Sequence, residues 1–241
     1  MKGNSFDPAD SSRIYRNFKN VGPARSIEDI ALRTLNQLFF CRILKGLKVS
    51  QSKPEFLKCD EKYRGLFLDQ AMLMEFAGRP EYELSTNFLN QALEKGDECY
   101  GFLDGNVLAA YGWYSNTPTR INPADLVLHF DRRYIYMYKG FTHALYRGRR
   151  LYAIGMSRAL EAYLARGYKG LVCYVESNNF SSLKSCYRMG YADFGRLYVA
   201  RVCNRYFLHS DAGCRHCEFE LEWLRPPGQQ ETAQRRDRAV G

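Results

Sequence analysis

The sequence predicts a mixed α/β fold built on one sheet. Helical patterns come first, paired strand-like runs follow, and strands and helices then alternate up to residue 208. Apolar residues make up 46% of the 241 residues and aromatic residues 15%, which is enough to bury a sizeable core without disulfides or metals. There is no internal repeat.

Composition and charge exclude several classes of protein. Lys and Arg number 35 against 26 Asp and Glu, a formal net charge of +9. These values exclude a wholly disordered chain, a collagen and a polytopic membrane protein. The longest apolar runs, such as residues 107–111, are far shorter than a bilayer span. No signal peptide is visible in residues 1–20 and the eight cysteines are scattered, so we expect a cytoplasmic protein without a transmembrane segment.

The positive charge lies mostly at the two ends of the chain. Residues 1–50 carry a net charge of +5 and residues 225–241 carry +2, which leaves +2 for the residues between them. No run of five basic residues occurs, and the densest cluster is Arg147, Arg149 and Arg150. A nucleic-acid partner is therefore not expected.

Three regions are predicted along the chain. Residues 1–50 form an N-terminal arm and an amphipathic helix, residues 51–224 form the main domain, and residues 225–241 form a disordered tail. Ser26 and Asp29 form a capping box, and apolar residues then recur at helical spacing as far as Ile43. Such a face suits the chain's own core, a partner or a membrane surface.

Changes in the spacing of apolar residues predict the helices and strands of the main domain. Glycines at positions 96, 167 and 190 end three of the helices. An Asp-Gly pair at 104–105 marks the turn of a hairpin. The predicted helices cover residues 63–76, 84–95, 149–166 and 180–189. The predicted strands cover residues 99–103, 107–114, 126–130, 133–141, 171–176, 191–196, 197–208 and 217–224.

The start of the helix at 149–166 is a candidate anion site. The first turn of a helix leaves backbone N–H groups free and carries the positive end of the helix dipole. Arg147, Arg149 and Arg150 add full positive charges beside Gly148 at the same position. Pyrophosphate is the ligand that such a site suits best.

This stretch resembles the central-helix motif of the GNAT superfamily of N-acyltransferases. The family's motif is Arg/Gln-x-x-Gly-x-Gly/Ala, and Arg147 stands at its first position. A second family motif, Asn-x-x-Ala/Ser followed by Leu-Gly-Phe, is similar to Asn179 and Ser182 followed by Met-Gly-Tyr at 189–191. The order of the predicted elements over residues 63–208 also matches.

The resemblance implies a mostly antiparallel, twisted sheet flanked by helices, with an extra N-terminal helix. It also implies that the central strand and the next one splay apart and hold acetyl-CoA or a longer acyl-CoA as co-substrate. The pantetheine arm would then lie along strand 134–142. The coenzyme-binding residues implied are Phe141, Thr142, Arg147, Gly148, Arg149, Arg150, Leu151, Tyr152, Asn179 and Ser182.

The chain departs from the family motifs at three positions. Arg150 and Tyr152 stand where the motif has glycines, which allow close approach of the backbone to phosphate. Cys186 stands where the family often has a tyrosine that protonates the leaving thiolate. Tyr187 is its neighbour, but adjacent helical side chains point about 100° apart. Cys186 and Tyr187 are the candidate acids, and unassisted departure of the thiolate is the alternative.

Glu176 and His143 are candidate bases. Glu176 ends the strand 171–176, where the two strands should part, and could act through a water on an acceptor amine. The simpler alternative is a solvated carboxylate at a strand end. His143 follows the central strand as a candidate base or acceptor contact, and the alternative is a loop histidine bonded to backbone.

Two further patterns have simpler explanations. Cys214 and Cys217, with His209 and His216, resemble part of a zinc site, but no second Cys-x-x-Cys pair exists, so no metal is expected. The tyrosines of strand 134–142 alternate in the way a half-buried strand requires, which favours core packing over stacking on nucleobases.

The motifs favour an N-acyltransferase that moves an acetyl or longer acyl group from coenzyme A to a small-molecule amine by direct attack. An acyl carrier protein is an alternative donor, because the basic rim formed by Arg147, Arg149 and Arg150 suits an acidic partner. A degenerate GNAT-like binding module that acts through the N-terminal helix is a second alternative. We expect the acceptor cleft between residues 63–95 and 116–125, while the acceptor, the acyl length and the oligomeric state stay open.

Overall fold

A computed structural model describes residues 40–122, 125–202 and 205–224. The strands are β1 (Phe40–Val49), β2 (Arg64–Leu68), β3 (Glu98–Asp104), β4 (Val107–Ser115), β5 (Thr119–Ile121), β6 (Leu126–His129), β7 (Ile135–Thr142), β8 (Leu171–Glu176), β9 (Ala192–Val202), β10 (Arg205–Ser210) and β11 (Glu220–Trp223). The α-helices are α1 (Gln70–Glu75), α2 (Thr86–Glu94), α3 (Leu151–Ala165), α4 (Phe180–Met189) and α5 (Ala212–His216).

Eight strands form one large sheet in the order β10-β9-β1-β8-β7-β4-β3-β2, and β11, β6 and β5 form a small second sheet. Neighbouring strands of the described chain run antiparallel, with the exception of the parallel pair β7 and β8. The predicted fold class, a mixed and mostly antiparallel sheet with helices, is therefore confirmed.

Helices and the small sheet cover the two faces of the large sheet. Leu151 and Leu160 of α3 and Leu183 of α4 belong to one buried cluster with Met137 of β7. Trp113 of the neighbouring strand β4 points to the opposite face, where it is buried with residues of α1 and α2. The small sheet extends this second layer over a further cluster.

Local sequence explains several boundaries. Gly105 has a φ of 57° and turns the chain between β3 and β4. The Ser85 hydroxyl accepts the backbone N–H of Phe88 at 3.2 Å and starts α2. Asn179 starts α4 and Gly190, with a φ of 101°, ends it. Strand β8 and helix α4 have the bounds that the sequence predicts.

The helix predicted from Ser26 to Ile43 is wrong at its C-terminal end. Residues 40–43 lie in β1, which pairs with β8 on one side and β9 on the other. The sheet therefore includes residues 40–49, ahead of the domain start predicted at residue 51. The remainder of that helix and the predicted tail at 225–241 lie outside the described residues.

Other boundaries differ from the prediction. The predicted helix at 63–76 is β2 followed by the short α1, because Arg64–Leu68 pairs with β3 and the Asp69 carboxylate then accepts the N–H of Met72 at 2.9 Å. The two strands predicted at 191–196 and 197–208 are instead the long β9 and the hairpin strand β10. The sequence did not predict α5.

The parallel strands β7 and β8 pair at two positions only. Ile135 lies opposite Leu171 and Tyr136 lies opposite Val172, and beyond these pairs the strands separate. β8 stays with β1 and β7 stays with β4. The register of β7 against β4 shifts so that Tyr138 is the extra residue of a β-bulge, a feature that re-aims a side chain.

Candidate active site

The separation of β7 from β8 opens a cleft of about 450 Å³ in the large sheet. The walls are the two strands, the N-terminal part of α3 and one face of α4 along its whole length. Among the lining residues are Tyr138, Gly140, Tyr152, Cys173, Glu176, Asn179, Ser182 and Cys186. The splayed strands that the GNAT resemblance implies are thus present.

The cleft is lined from both faces of the sheet. Met137 belongs to the cluster beneath α3 and α4, whereas Tyr136 belongs to the cluster beneath the small sheet, and both line the cleft. On the β8 side, Cys173 and Tyr174 belong to opposite faces in the same way. Molecules that approach from the two faces can therefore meet between the strands.

A second cavity of about 470 Å³ lies at the N-terminus of α3. Arg147, Gly148, Arg150, Leu151 and Tyr152 line it, as the motif implies. Arg150 is the N-cap residue, has a φ of 60° and makes no side-chain capping bond. Arg150 therefore adopts a left-handed backbone conformation, which glycine adopts readily.

Helix α4 adds cations to this cavity that the sequence reasoning missed. Lys184 and Arg188 line it together with the hydroxyls of Ser181 and Ser185. Their spacing places them on one face of a helix, so the pattern Ser181, Lys184, Ser185, Arg188 was the available signal. Together with Arg147 and Arg150, four cationic side chains surround one helix N-terminus, which suits a polyphosphate.

Two residues predicted to bind the coenzyme point elsewhere. Arg149 donates a hydrogen bond to the Tyr63 hydroxyl at 2.7 Å and does not line the cavity. The ring of Phe141 stacks on Tyr111 at 5.1 Å, on the face away from α3. Thr142, the next residue of β7, does line the cavity.

Tyr152 spans the cleft between α3 and β7. A Cβ atom built on Gly140 would overlap the Tyr152 ring, so the glycine is what admits the ring. The Tyr152 hydroxyl donates to the sulfur of Met137 at 3.3 Å. Burial raises the pKa of Tyr152 well above its ordinary value, so the hydroxyl stays protonated.

Asn179 and Ser182 lie at the cleft, as the second motif implies. The Asn179 side-chain oxygen accepts the backbone N–H of Ser182 at 3.2 Å and the hydroxyl of Ser181 at 3.1 Å. This oxygen is therefore engaged in capping α4.

The two candidate acids lie on different sides of α4. Cys186 is buried and lines the cleft opposite Cys173. A hydrogen bond from the Cys173 thiol lowers the pKa of Cys186, and burial opposes it. Tyr187 instead donates to Asp193 at 2.7 Å on the outer surface and does not line the cleft.

The two candidate bases, Glu176 and His143, also lie at different places in the structure. Glu176 lines the cleft, and one of its carboxylate oxygens lies 3.2 Å from the Arg42 guanidinium. His143 lies at the far end of β7, where its Nδ1 accepts the N–H of Leu145 at 3.4 Å and its ring packs between Tyr82 and Tyr146. His143 lines neither the cleft nor the cavity at α3.

A third cavity, of about 540 Å³, lies on the face covered by α2 and the small sheet. It is lined by parts of residues 63–95 and 116–125, the two segments between which the sequence places the acceptor. Lys95, Asp97 and Tyr138 also line it, and Tyr138 is the residue that it shares with the cleft. Asp97 was missed because no motif surrounds it.

The cysteines near the C-terminus belong to α5 and its end. Cys214 is fully buried and donates its backbone N–H to Asp211 at 2.9 Å, and Cys217 is half-buried. Over residues 40–122, 125–202 and 205–224, no group of three or more His, Cys, Asp or Glu residues is arranged to hold a metal. Over the same residues, no helix combines the length and apolar character needed to cross a bilayer.

Solved structures similar to this chain include several GNAT proteins. A GNAT-family protein from Novosphingobium aromaticivorans is 16% identical with a TM-score of 0.46, covering 71% of this chain and 66% of its own. A GCN5-related N-acetyltransferase-like protein from Streptococcus suis is 12% identical with a TM-score of 0.46, covering 73% of this chain and 67% of its own. This chain thus spans about two thirds of the length of either.

A third similar structure is a protein from Salmonella typhimurium solved with acetyl-CoA. It is 13% identical with a TM-score of 0.40, covering 68% of this chain and 95% of its own. No protein-family model and no curated protein matches the chain. The descriptions of the first two structures name the family that the Arg147 and Asn179 motifs resemble.

Proposed function

We propose that the chain is a GNAT-type N-acyltransferase that transfers an acyl group from a coenzyme A thioester to an amine. The observation that carries the proposal is the cleft between β7 and β8, which is lined from both faces of the sheet and lies beside the cationic N-terminus of α3. A thioester from one face and an amine from the other are aligned inside the sheet, which removes most of the entropic cost of their reaction.

The donor binds with its phosphates at α3 and its arm along β7. Arg147, Arg150, Lys184 and Arg188 neutralise the pyrophosphate and the 3′-phosphate of the coenzyme. Beyond Tyr136, β7 no longer pairs with β8, so backbone groups of β7 that face the cleft can bond the two amides of pantetheine. The strand from Thr142 to Tyr138 covers about 13 Å at about 3.3 Å per residue.

The reaction needs alignment and proton transfer but no covalent enzyme intermediate. The amine nitrogen attacks the thioester carbonyl carbon, the C–N bond forms and the C–S bond breaks. Cys186 gives a proton to the departing thiolate, because it lines the cleft and the hydrogen bond from Cys173 makes its thiol more acidic. The acceptor amine occupies the third cavity, where Phe88 and Val127 supply apolar walls.

Titration calorimetry with acetyl-CoA and octanoyl-CoA tests the proposal. We expect saturable binding of at least one of them and a requirement for the phosphates, so that acetyl-pantetheine binds more weakly. An absence of heat with both coenzymes overturns the coenzyme donor. Binding of an acetylated acyl carrier protein in that case would instead assign the donor to a carrier protein.

A further inference from the structure

A buried ion pair lies beside the cleft, in the wall of the third cavity. The Asp97 side chain is 1% exposed, and its Oδ2 lies 3.0 Å from Lys95 Nζ. The Tyr138 hydroxyl donates to the same oxygen at 2.7 Å. Burying a carboxylate is costly unless it is paired and hydrogen-bonded, so this placement singles Asp97 out from the surface carboxylates.

Lys95 is held in place by the groups around it. Its ammonium donates to Ser115 Oγ at 3.1 Å and to Thr119 Oγ1 at 2.7 Å, in addition to its contact with Asp97. These three partners match the three protons of an ammonium group. Lys95 therefore balances the charge of Asp97 and is not placed to act as a nucleophile.

Tyr138 connects this pair to the cleft. It is the extra residue of the bulge in β7, and its side chain borders both the cleft and the third cavity. Burial, and then the Asp97 charge, raise the pKa of Tyr138 well above its ordinary value. Tyr138 is thus a neutral hydroxyl that can accept a proton only while it passes its own to Asp97.

We infer that Tyr138 and Asp97 form a proton relay that activates the acceptor amine for acyl transfer. The inference rests on the proposed function and names the base of that reaction. Tyr138 is the catalytic residue, since it borders the space where the substrates meet. Asp97 is the positioning residue that receives the proton through it.

The relay keeps protons and electrons balanced. The acceptor enters as an ammonium ion and passes one proton to the Tyr138 oxygen, while the Tyr138 proton moves to Asp97 Oδ2. The free amine then attacks the thioester carbonyl, the C–S bond breaks, and Cys186 gives its proton to the departing sulfur. The second proton that the nitrogen loses on forming the amide returns to the Cys186 thiolate. Asp97 ends the reaction protonated and returns its proton to solvent after product release.

The charged and titratable groups around Tyr138 come from several elements. Asp97 and Cys99 lie on its β3 side, Lys95 at the end of α2, Arg120 on β5 and Glu176 across the cleft. Lys139 follows it on β7, where its ammonium donates to the Glu83 carbonyl at 2.8 Å. Asp97 is the carboxylate that accepts a hydrogen bond from Tyr138, which favours it over Glu176 as the proton acceptor.

Rates measured with two acceptor nucleophiles distinguish a proton relay from a purely structural role of Tyr138 and Asp97. Ethylamine is protonated at neutral pH and needs the relay, whereas hydroxylamine is largely uncharged and does not. Release of coenzyme A from acetyl-CoA is measured with each, above the uncatalysed rate, for the full-length wild type, Tyr138→Phe and Asp97→Asn. We expect both variants to lose about 100-fold in kcat with ethylamine, a typical contribution of acid–base catalysis, and less than about threefold with hydroxylamine.

Tyr206→Phe is the matched control, because Tyr206 donates to Asp125 at 3.1 Å in a second tyrosine–aspartate pair. We expect its rates to equal those of the wild type. Equal losses with both nucleophiles, no loss in Tyr138→Phe, or a wild type that uses hydroxylamine alone overturns the relay. A wild type that neither binds acetyl-CoA by calorimetry nor turns it over overturns the proposed function instead, and the relay with it.

Discussion

The ring of Tyr152 lies against Gly140 across the cleft between β7 and β8. Gly140 has no side chain, and a Cβ atom there would overlap the ring. The ring lies over the face of β7 at Gly140 and also lines the cleft in which we place the pantetheine arm. We therefore expect the ring to narrow the space for the donor and to oppose its binding.

Tyr152→Ala should therefore bind acetyl-CoA more tightly than the wild type. Removal of the ring widens the cleft beside β7, and we expect the Kd to fall about tenfold, equivalent to about 1.4 kcal/mol. Calorimetry measures the Kd, and a melting curve follows the stability lost with a half-buried aromatic ring. Tyr152→Phe, which keeps the ring, should resemble the wild type. Weaker binding by Tyr152→Ala would show that the ring supports the donor.

Arg150→Gly should change stability and binding in opposite directions. Arg150 has a φ of 60°, and a left-handed backbone costs a non-glycine residue about 1–2 kcal/mol. Glycine removes that strain but gains entropy in the unfolded chain, so we expect a net gain of about 0.5–1 kcal/mol in the free energy of unfolding. The lost cation should weaken binding of acetyl-CoA several-fold. Urea denaturation and calorimetry measure the two effects, and tighter binding by the glycine variant would contradict a phosphate contact by Arg150.

Asp211 should make the C-terminal part of the fold sensitive to acid. Burial raises its pKa, but hydrogen bonds from the backbone N–H groups of Cys214 and Arg196 prevail and hold the pKa below its ordinary value. A carboxylate with a lowered pKa stabilises the fold above its unfolded pKa of about 3.9 and loses that contribution as the pH falls through the folded value.

We therefore expect Asp211→Ala to cost about 1 kcal/mol at pH 7, as loss of a helix N-cap does. The cost should shrink as the pH falls from the unfolded pKa of about 3.9 through the lower folded pKa, where the wild type also loses the charge. Chemical denaturation across this pH range measures the difference. Asp211→Asn keeps a capping oxygen and should be the milder variant at pH 7. A pH-independent difference for Asp211→Ala would contradict the assignment.

The helices and strands that the sequence predicted correctly are those whose ends are set by nearby residues. Helix α4 has its predicted bounds because Asn179 caps one end and Gly190 ends the other within the same short segment. Residues 40–43 of β1 and all of β2 were predicted as helix, because their apolar residues also fit a helical stripe and their strand partners are distant in sequence. Ile43, for example, pairs with Tyr198, and such partners override local spacing.

The residues of the candidate site likewise include some that a local motif predicts and others that it does not. The motif at 147–152 predicted the residues that line the cavity at α3, because a helix start concentrates backbone donors at a known position. Arg149, which the motif also predicted, does not line this cavity, and its side chain contacts Tyr63. Asp97 and Tyr138 meet only because β3 and β7 flank β4 in the sheet, a neighbourhood that no motif encodes.

Arg188→Glu should weaken binding of acetyl-CoA but not of acetyl-pantetheine. Arg188 lines the phosphate cavity from α4, and reversing its charge places a carboxylate beside the phosphates. We expect the Kd for acetyl-CoA to rise at least tenfold and that for acetyl-pantetheine to stay within about twofold. Arg132→Glu is the control, because Arg132 is exposed and lines none of the three cavities. Equal losses for both ligands would place Arg188 in a structural role.

The Cys173–Cys186 pair should determine the pH at which kcat falls on the alkaline side, called the alkaline limb below. Cys186 must be protonated to act as the acid, so kcat should fall as the pH rises through its pKa. The hydrogen bond from Cys173 lowers the pKa of Cys186, so Cys173→Ala should move this limb to higher pH. Cys186→Ala should remove the limb and slow the reaction about tenfold or more.

The measurement is kcat against pH with acetyl-CoA and ethylamine. Cys214→Ala, which alters another buried thiol, is the control and should keep the wild-type limb. An unchanged limb in Cys173→Ala would mean that Cys186 is not the acid, and because Tyr187 lies on the outer surface of α4, unassisted departure of the thiolate would then be favoured.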